Sequence, residues 1–187
     1  VYIKKEIEPN DNLSKLIIDS QDICDGDVLI IAQKIISKQE GRIVELSTIV
    51  PSLLAEGISS EYEKNPKIIQ LILNESKQII RMDRGIIIVE TNNGFICANA
   101  GIDESNVPNG FATLLPLNSD QSADTIRNEI LKKTNKTVSV IISDTFGRPF
   151  RIGQTNCAIG ISGMNPILDY AGTKDSFDKT LRVTAIA

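Results

Sequence analysis

An α+β fold is predicted for this chain of 187 residues. Apolar runs of strand length do not alternate strictly with segments of helical period, and those helical segments exclude an all-β pattern. A hairpin signature in mid-chain adds an antiparallel pairing.

From the N-terminus, Asp11-Asn12 is placed to cap a helix whose apolar stripe is Leu13, Leu16, Ile17 and Ile18. Asp25-Gly26-Asp27 reads as a turn into a buried strand, Val28 to Ala32. The polar, basic stretch Gln33 to Arg42 reads as a functional loop or strand end. Pro51 and Pro66 stand where first helical turns accept proline. The second of these helices carries Ile68, Ile69, Leu71, Ile72 and Leu73 on its core side. Gly85 to Thr91, Asn92-Asn93-Gly94 and Phe95 to Ala98 form the hairpin, because Asn-Asn-Gly supplies the positive φ that a tight turn requires. A polar loop follows, Asn99 to Gly110, and Leu114 to Leu117 reads as a short strand. Ser119 to Lys133 is a helix, acidic near its start and lysine-rich near its end, which suits the helix dipole. Val138 to Ile142 is the clearest buried strand and leads into Ser143-Asp144-Thr145. Phe146 to Asn156 is expected to be a loop, with further strands at Ala158 to Gly163 and Leu181 to Ala187. No repeat or linker divides the chain, so residues 1–187 are read as a single domain. Its apolar ending, Val183 to Ala187, is expected to mark a truncation.

A net charge of −4 argues against a nucleic-acid partner, which wants a basic face. No apolar run approaches the roughly 20 residues of a membrane span, and Val1 to Pro9 lacks the apolar core of a signal peptide. The three cysteines, Cys24, Cys97 and Cys157, are far apart and odd in number, which suits inert thiols in a reducing, cytoplasmic setting. The most informative count is that of histidine, which is zero. Triads built on histidine, histidine-based zinc sites and histidine general bases are thereby excluded. There is also no Gly-Lys pair for a P-loop and no GxGxxG. Any chemistry rests on carboxylates, lysine, arginine, hydroxyls, amides and a hard metal.

Four constellations fit that inventory. In Asn99 to Asn106, Gly101 lets the backbone turn while Asp103 and Asn106 present a carboxylate and an amide, suited to Mg2+ or Mn2+ beside a nucleotide. An ordinary Asx-turn fits the same spacing. In Ser143 to Gln154, Asp144 is mounted at the end of a buried strand, as a metal ligand should be. Thr145 adds a hydroxyl, and Arg148 and Arg151 can fork onto phosphate or carboxylate oxygens. A solvated loop with paired arginines is the competing reading. Lys38, in Ser37 to Arg42, can neutralise a phosphate or simply lie on the surface. Asp169 to Asp175 is either a pocket wall built around Tyr170 or a structural turn.

Taken together, these segments resemble the coenzyme F-420:L-glutamate ligase (gamma-glutamyl ligase) family. The resemblance runs through Asp27-Val28-Leu29, Ser37 to Arg42, Asn99 to Asn106, Ser143 to Arg151, Gly153-Gln154, Ala158 to Gly163 and Asp169 to Gly172, in order, over essentially the whole chain. It implies a fold of two interlocked α/β subdomains with mixed, largely antiparallel sheets, paired as an intertwined homodimer. It implies a reaction in which GTP phosphorylates the carboxylate of the lactyl-phospho deazaflavin precursor. The amine of L-glutamate then attacks the acyl phosphate, and further γ-linked glutamates can follow. Phosphoryl transfer of this kind needs positioning and charge neutralisation rather than a histidine. By matching position, Asp103 and Asp144 bind the first divalent metal, Mg2+ or Mn2+, and Thr145 contacts a second; K+ is a further implied ion. Asn106, Lys38, Gln33, Lys34 and the stretch Lys4, Lys5, Glu6 and Ile7 become nucleotide contacts. Asp144, Arg148 and Arg151 are the candidate catalytic residues, and Gln154 joins the arginines as a phosphate or substrate anchor. Two departures stand out: Asp178 occupies a position usually glycine in the family, and the family continues beyond residue 187. A metal-dependent hydrolase using the same aspartates, and a nucleotide-binding module without catalysis, are the alternatives.

Overall fold

Helix α1, Leu13–Ser20, starts where the Asn12 side chain accepts the Lys15 N–H at 2.7 Å, and it buries Leu13 and Ile17. The structure, a computed structural model, describes residues 3–148 and 150–187. Val1 and Tyr2, and Pro149 within the Ser143–Arg151 segment, lie outside the described residues. After α1 come β1, Val28–Ala32, and directly from it α2, Gln33–Gln39. The stretch read from sequence as a loop or strand end is therefore helical up to Gln39. Its N-cap is Ala32, which offers no capping side chain, and that left the boundary without a sequence signal.

Strand β2 (Ile43–Glu45) leads to helices α3 (Leu53–Tyr62) and α4 (Pro66–Asn74). Pro66 opens α4 as expected, whereas Pro51 lies one residue before the N-cap of α3 and outside its first turn; Ser52 and Asn65 cap the following N–H groups. α4 buries Ile69, Leu71 and Ile72, whereas Ile68 and Leu73 are half-buried flanks. Strand β3 (Ser76–Asp83) was not legible in the sequence, because register shifts near its start and middle break its alternation. It pairs antiparallel with β4 (Ile86–Thr91), which pairs in turn with β5 (Ile96–Ala98) across the expected Asn92-Asn93-Gly94 turn. The expected strand at Leu114 to Leu117 is absent. Strand β6 is Phe111–Thr113 and pairs with β2, while Leu114, Leu115 and Pro116 are buried outside any strand.

Helix α5, Ser119–Thr134, is capped by Asn118 and packs on β7 (Ser139–Gly147), β8 (Gln154–Ser162) and α1. β7 is central, parallel to β1 and antiparallel to β8, in the order β1-β7-β8. Strands and register therefore run past the limits read from sequence, and the expected Phe146 to Asn156 loop shrinks to a hairpin tip between Gly147 and Gln154. Gly160 is required where α5 begins, since a Cβ there would lie 2.4 Å from the Ser119 backbone. Val140, Ile142, Ile126 and Ile130 are the centre of the main core; cutting Ile142 to Ala should cost about 2–5 kcal/mol. β1 is not buried on both faces, because Val28 and Ile30 are exposed at the sheet edge.

A second core joins α3 and α4 to β4. Of the expected strand Leu181 to Ala187, only Ala185–Ile186 (β10) is extended and paired, with Leu168–Asp169 (β9), in an exposed ribbon. The described fold is thus a mixed, mostly antiparallel α/β arrangement with one parallel pairing. No described helix is long and apolar enough to cross a membrane.

Candidate active site

The parallel pairing of β1 with β7 ends at Ala32 opposite Ser143, so Gln33 and Lys34 of α2 stand beside Asp144. The carboxyl ends of parallel strands are where such sheets commonly open to ligands. From the other side, β5 packs against β7, and the rings of Phe95 and Phe146 meet at 6.4 Å between centroids, tilted by 59°. That contact brings the segment after β5 to the mouth of β7. Between them lies a cavity of about 440 Å³ whose lining includes Gln33, Lys34, Cys97, Asp103, Asp144, Thr145 and Gln154.

Asp103 is carried by an unusual turn. Asn99, Ala100 and Gly101 all have left-handed backbone, with φ of 52°, 54° and 69°. Each non-glycine residue held there costs on the order of 1 kcal/mol, and such strain collects at functional sites. Packing maintains it here. Ala100 is buried, Asn99 Oδ1 accepts the Ile87 N–H at 3.3 Å, and a Cβ on Gly101 would sit 2.7 Å from Leu115. Asp103 is then fixed by reciprocal backbone bonds with Thr113.

The two aspartates differ electrostatically. Burial alone would raise the Asp103 pKa, but bonds from Lys34 Nζ and from the Ser105 N–H and hydroxyl outweigh it and hold the carboxyl below the ordinary aspartate value. Asp144 is raised, first by burial and further by the nearby Asp103 charge; the Thr145 N–H donating to it at 2.8 Å only partly compensates. Burial, with Asp144 nearby, also pushes the Cys97 thiol up to about 11, so it stays protonated against the Gly101 N–H. Cys97 was read from sequence as an inert thiol, and nothing in its spacing marked it as a wall of this cavity.

Of the residues singled out from sequence, Gln33, Lys34, Asp103, Asp144, Thr145 and Gln154 are brought together. Gln33 is buried and donates to Ser37 Oγ and to the Leu114 carbonyl, so it ties α2 to the adjoining chain. Thr145 follows Asp144 along a regular strand, on the alternate face, and its hydroxyl donates to Asn156 Oδ1 at 2.9 Å. Lys38, Lys4, Lys5, Glu6, Ile7, Asn106, Arg148 and Arg151 do not line this cavity. Lys38 is buried and its ammonium reaches Glu6 Oε1, so two of these residues meet each other across α2. Lys5 pairs with Asp11 at 2.6 Å, and Ile7 is part of the main core. Asn106 is exposed with a left-handed backbone just beyond Ser105. Arg148 and Arg151 are exposed at the β7–β8 tip.

The donor set fits a small hard cation in part. Among the described residues no group of three or more His, Cys, Asp and Glu converges, so the chain offers two carboxylates and neighbouring oxygens. That is the pattern of Mg2+ or Mn2+ held by one or two carboxylates, with phosphate and water completing the shell.

The chain matches the family model described as F420-0:Gamma-glutamyl ligase over residues 3–187. It belongs to this ligase family. It is 47% identical over 176 residues to the coenzyme F420:L-glutamate ligase of Methanocaldococcus jannaschii, covering 94% of this chain and 70% of that protein. Against the enzyme of the same name from Methanothermobacter thermautotrophicus the identity is 44% over 182 residues, 95% of this chain and 72% of the relative. For that of Methanopyrus kandleri it is 39% over 187 residues, all of this chain and 74% of the relative. In this ligase, then, the cavity joins elements that are far apart in sequence: the α2 start, the strained turn after β5 and the end of β7.

Proposed function

We propose that this ligase forms an amide between L-glutamate and the terminal carboxylate of the lactyl-phospho deazaflavin precursor of coenzyme F-420, with GTP as co-substrate. The observation that carries the reading is the convergence of Asp103 and Asp144 on one polar cavity beside the Lys34 ammonium. A free carboxylate is a poor electrophile. Phosphorylation by the γ-phosphate makes it an acyl phosphate, and the glutamate amine then displaces phosphate to leave the amide, GDP and inorganic phosphate. Bound Mg2+ or Mn2+, at one or two sites and with K+ as a further ion, would neutralise the phosphate oxygens.

The chain's own residues do the rest. Asp144 and Asp103 hold the cation side of the site rigidly, one on a core strand and one on a packed turn. The lysines at 34 and 38 lie on α2, and Gln154 stands opposite Gly147 at the cavity mouth. In the free protein, Lys38 is engaged by Glu6, so contact with a phosphate requires that pair to part. Arg148 and Arg151, exposed at the hairpin tip, would meet the phosphate and carboxylate groups of the precursor as it enters. A homodimer, and addition of more than one glutamate, are part of the same proposal. The exposed Leu168, Phe177 and Val183 around the β9–β10 ribbon favour a partner surface.

The test is incubation with GTP, Mn2+, L-glutamate and the precursor, followed by mass spectrometry. The expected product is heavier by one or more glutamyl residues, with GDP release dependent on glutamate. GDP release without glutamate incorporation would instead identify a hydrolase.

A further inference from the structure

Lys34 is held more completely than a phosphate-binding lysine needs to be. Its ammonium donates to Asp103 Oδ2 at 2.5 Å, to Ser105 Oγ at 2.7 Å and to the Ser105 carbonyl at 2.9 Å. An ammonium has three donors, and these acceptors use all of them. The side chain is only 18% exposed. It also lies in the first turn of α2, where the helix dipole gives a cation no support, so the acceptors rather than the helix fix its position. Those acceptors are a carboxylate, a hydroxyl and a carbonyl, the same hard oxygens that a divalent ion takes. Asp144 lines the same cavity, accepts the Thr145 N–H and, among the described residues, has no ion-pair partner.

We propose that the Lys34 ammonium is a tethered stand-in for the divalent cation: it holds the Asp103 carboxylate in place while the metal is absent and is displaced from it when the metal binds. This rests on the reading of Asp103 and Asp144 as metal ligands given above. An ammonium on one carboxylate oxygen repels a dication approaching that carboxylate, so the free ion must first compete the ammonium away. A triphosphate arriving with the ion gives the released ammonium a new partner. Metal entry is thereby coupled to nucleotide entry, and the ion alone binds weakly. Lys34 is in this sense a positioning residue, acting on the metal through Asp103.

The experiment is a titration of the full chain with Mn2+ alone, free Mn2+ being read by electron paramagnetic resonance. Lys34→Gln is expected to bind Mn2+ about tenfold more tightly than wild type, within the usual range of coupling between sites. Lys34→Arg keeps the charge and should stay near wild type. On adding GTP, wild type should gain more Mn2+ affinity than Lys34→Gln. Equal or weaker Mn2+ binding by Lys34→Gln, with wild type still binding the ion, overturns the stand-in role alone. Absence of Mn2+ binding by both proteins, even with GTP, overturns the metal assignment and this role with it. Should Lys34→Gln fail to fold, acetylation of wild-type Lys34, followed by mass spectrometry, decides instead. Its rate should rise when Mg2+ is added alone, and an unchanged or slower rate overturns the proposal.

Discussion

Asp103 and Asp144 face one cavity from two different kinds of backbone, and their carboxyls are pushed in opposite directions. Asp103 rides on a left-handed turn, half-exposed, with a lysine already neutralising it. Asp144 lies within β7 just beyond a register shift, carries no such partner among the described residues, and is disfavoured as an anion by burial and by Asp103 itself. In a ligand-free protein this asymmetry lets two carboxylates approach each other, because one is already compensated. The uncompensated member, Asp144, therefore carries most of the cavity's unmet demand for a cation.

The largest effect should follow from removing that member. Asp144→Asn is expected to lower the rate of glutamyl product formation by about 10³-fold, with the fold intact by circular dichroism. Retained activity would remove Asp144 from the chemistry. Next in size is the turn that mounts its counterpart. Gly101→Ala places a Cβ against Leu115 in a left-handed residue, and should destabilise the protein by about 2–4 kcal/mol in urea unfolding.

The opposite pKa directions give a pH signature. A raised aspartate favours the folded state when protonated; that support is full below the ordinary aspartate value and is lost as pH rises through the raised one. At neutral pH, without metal, ionised Asp144 therefore costs stability. Asp144→Asn should melt about 2–4 °C above wild type there, and the gain should vanish in acid below the ordinary aspartate range. Asp103 has the opposite sign: its support is present above the ordinary value and is lost as pH falls through the lowered one. A melting difference for Asp144→Asn that did not change with pH would break the contrast. The smallest effect belongs to the exposed tip, where Arg151→Ala should raise the KM for the precursor about threefold to tenfold and leave kcat nearly unchanged.

Much of this contrast could be read from residues close in sequence. Asp144 at the end of an apolar run, and Asp103 two residues beyond Gly101, were both visible as mounted carboxylates. The capped helices and the Asn92-Asn93-Gly94 hairpin were visible for the same reason, since caps and turns are local chemistry. The partner of Asp103 was not visible: Lys34 is 69 residues away, and α2, which carries it, has no capping side chain to announce its start. Strand β3 was hidden by its register shifts, and Leu114 to Leu117 looked like a strand because it is a short apolar run, although the paired strand lies just upstream. Arg148 and Arg151 looked central beside Asp144 in sequence. The extension of β7 and β8 carries them away from the cavity to a hairpin tip.

The sharing of one cation by the two aspartates is tested most directly by Mn2+ affinity in the presence of GTP, measured for wild type, Asp103→Asn, Asp144→Asn and the double variant. Each single change should weaken binding at least about tenfold, and the double variant should be little worse than the weaker single, as for ligands of one ion. Losses that multiply independently, or wild-type affinity in either single variant, would contradict a shared site.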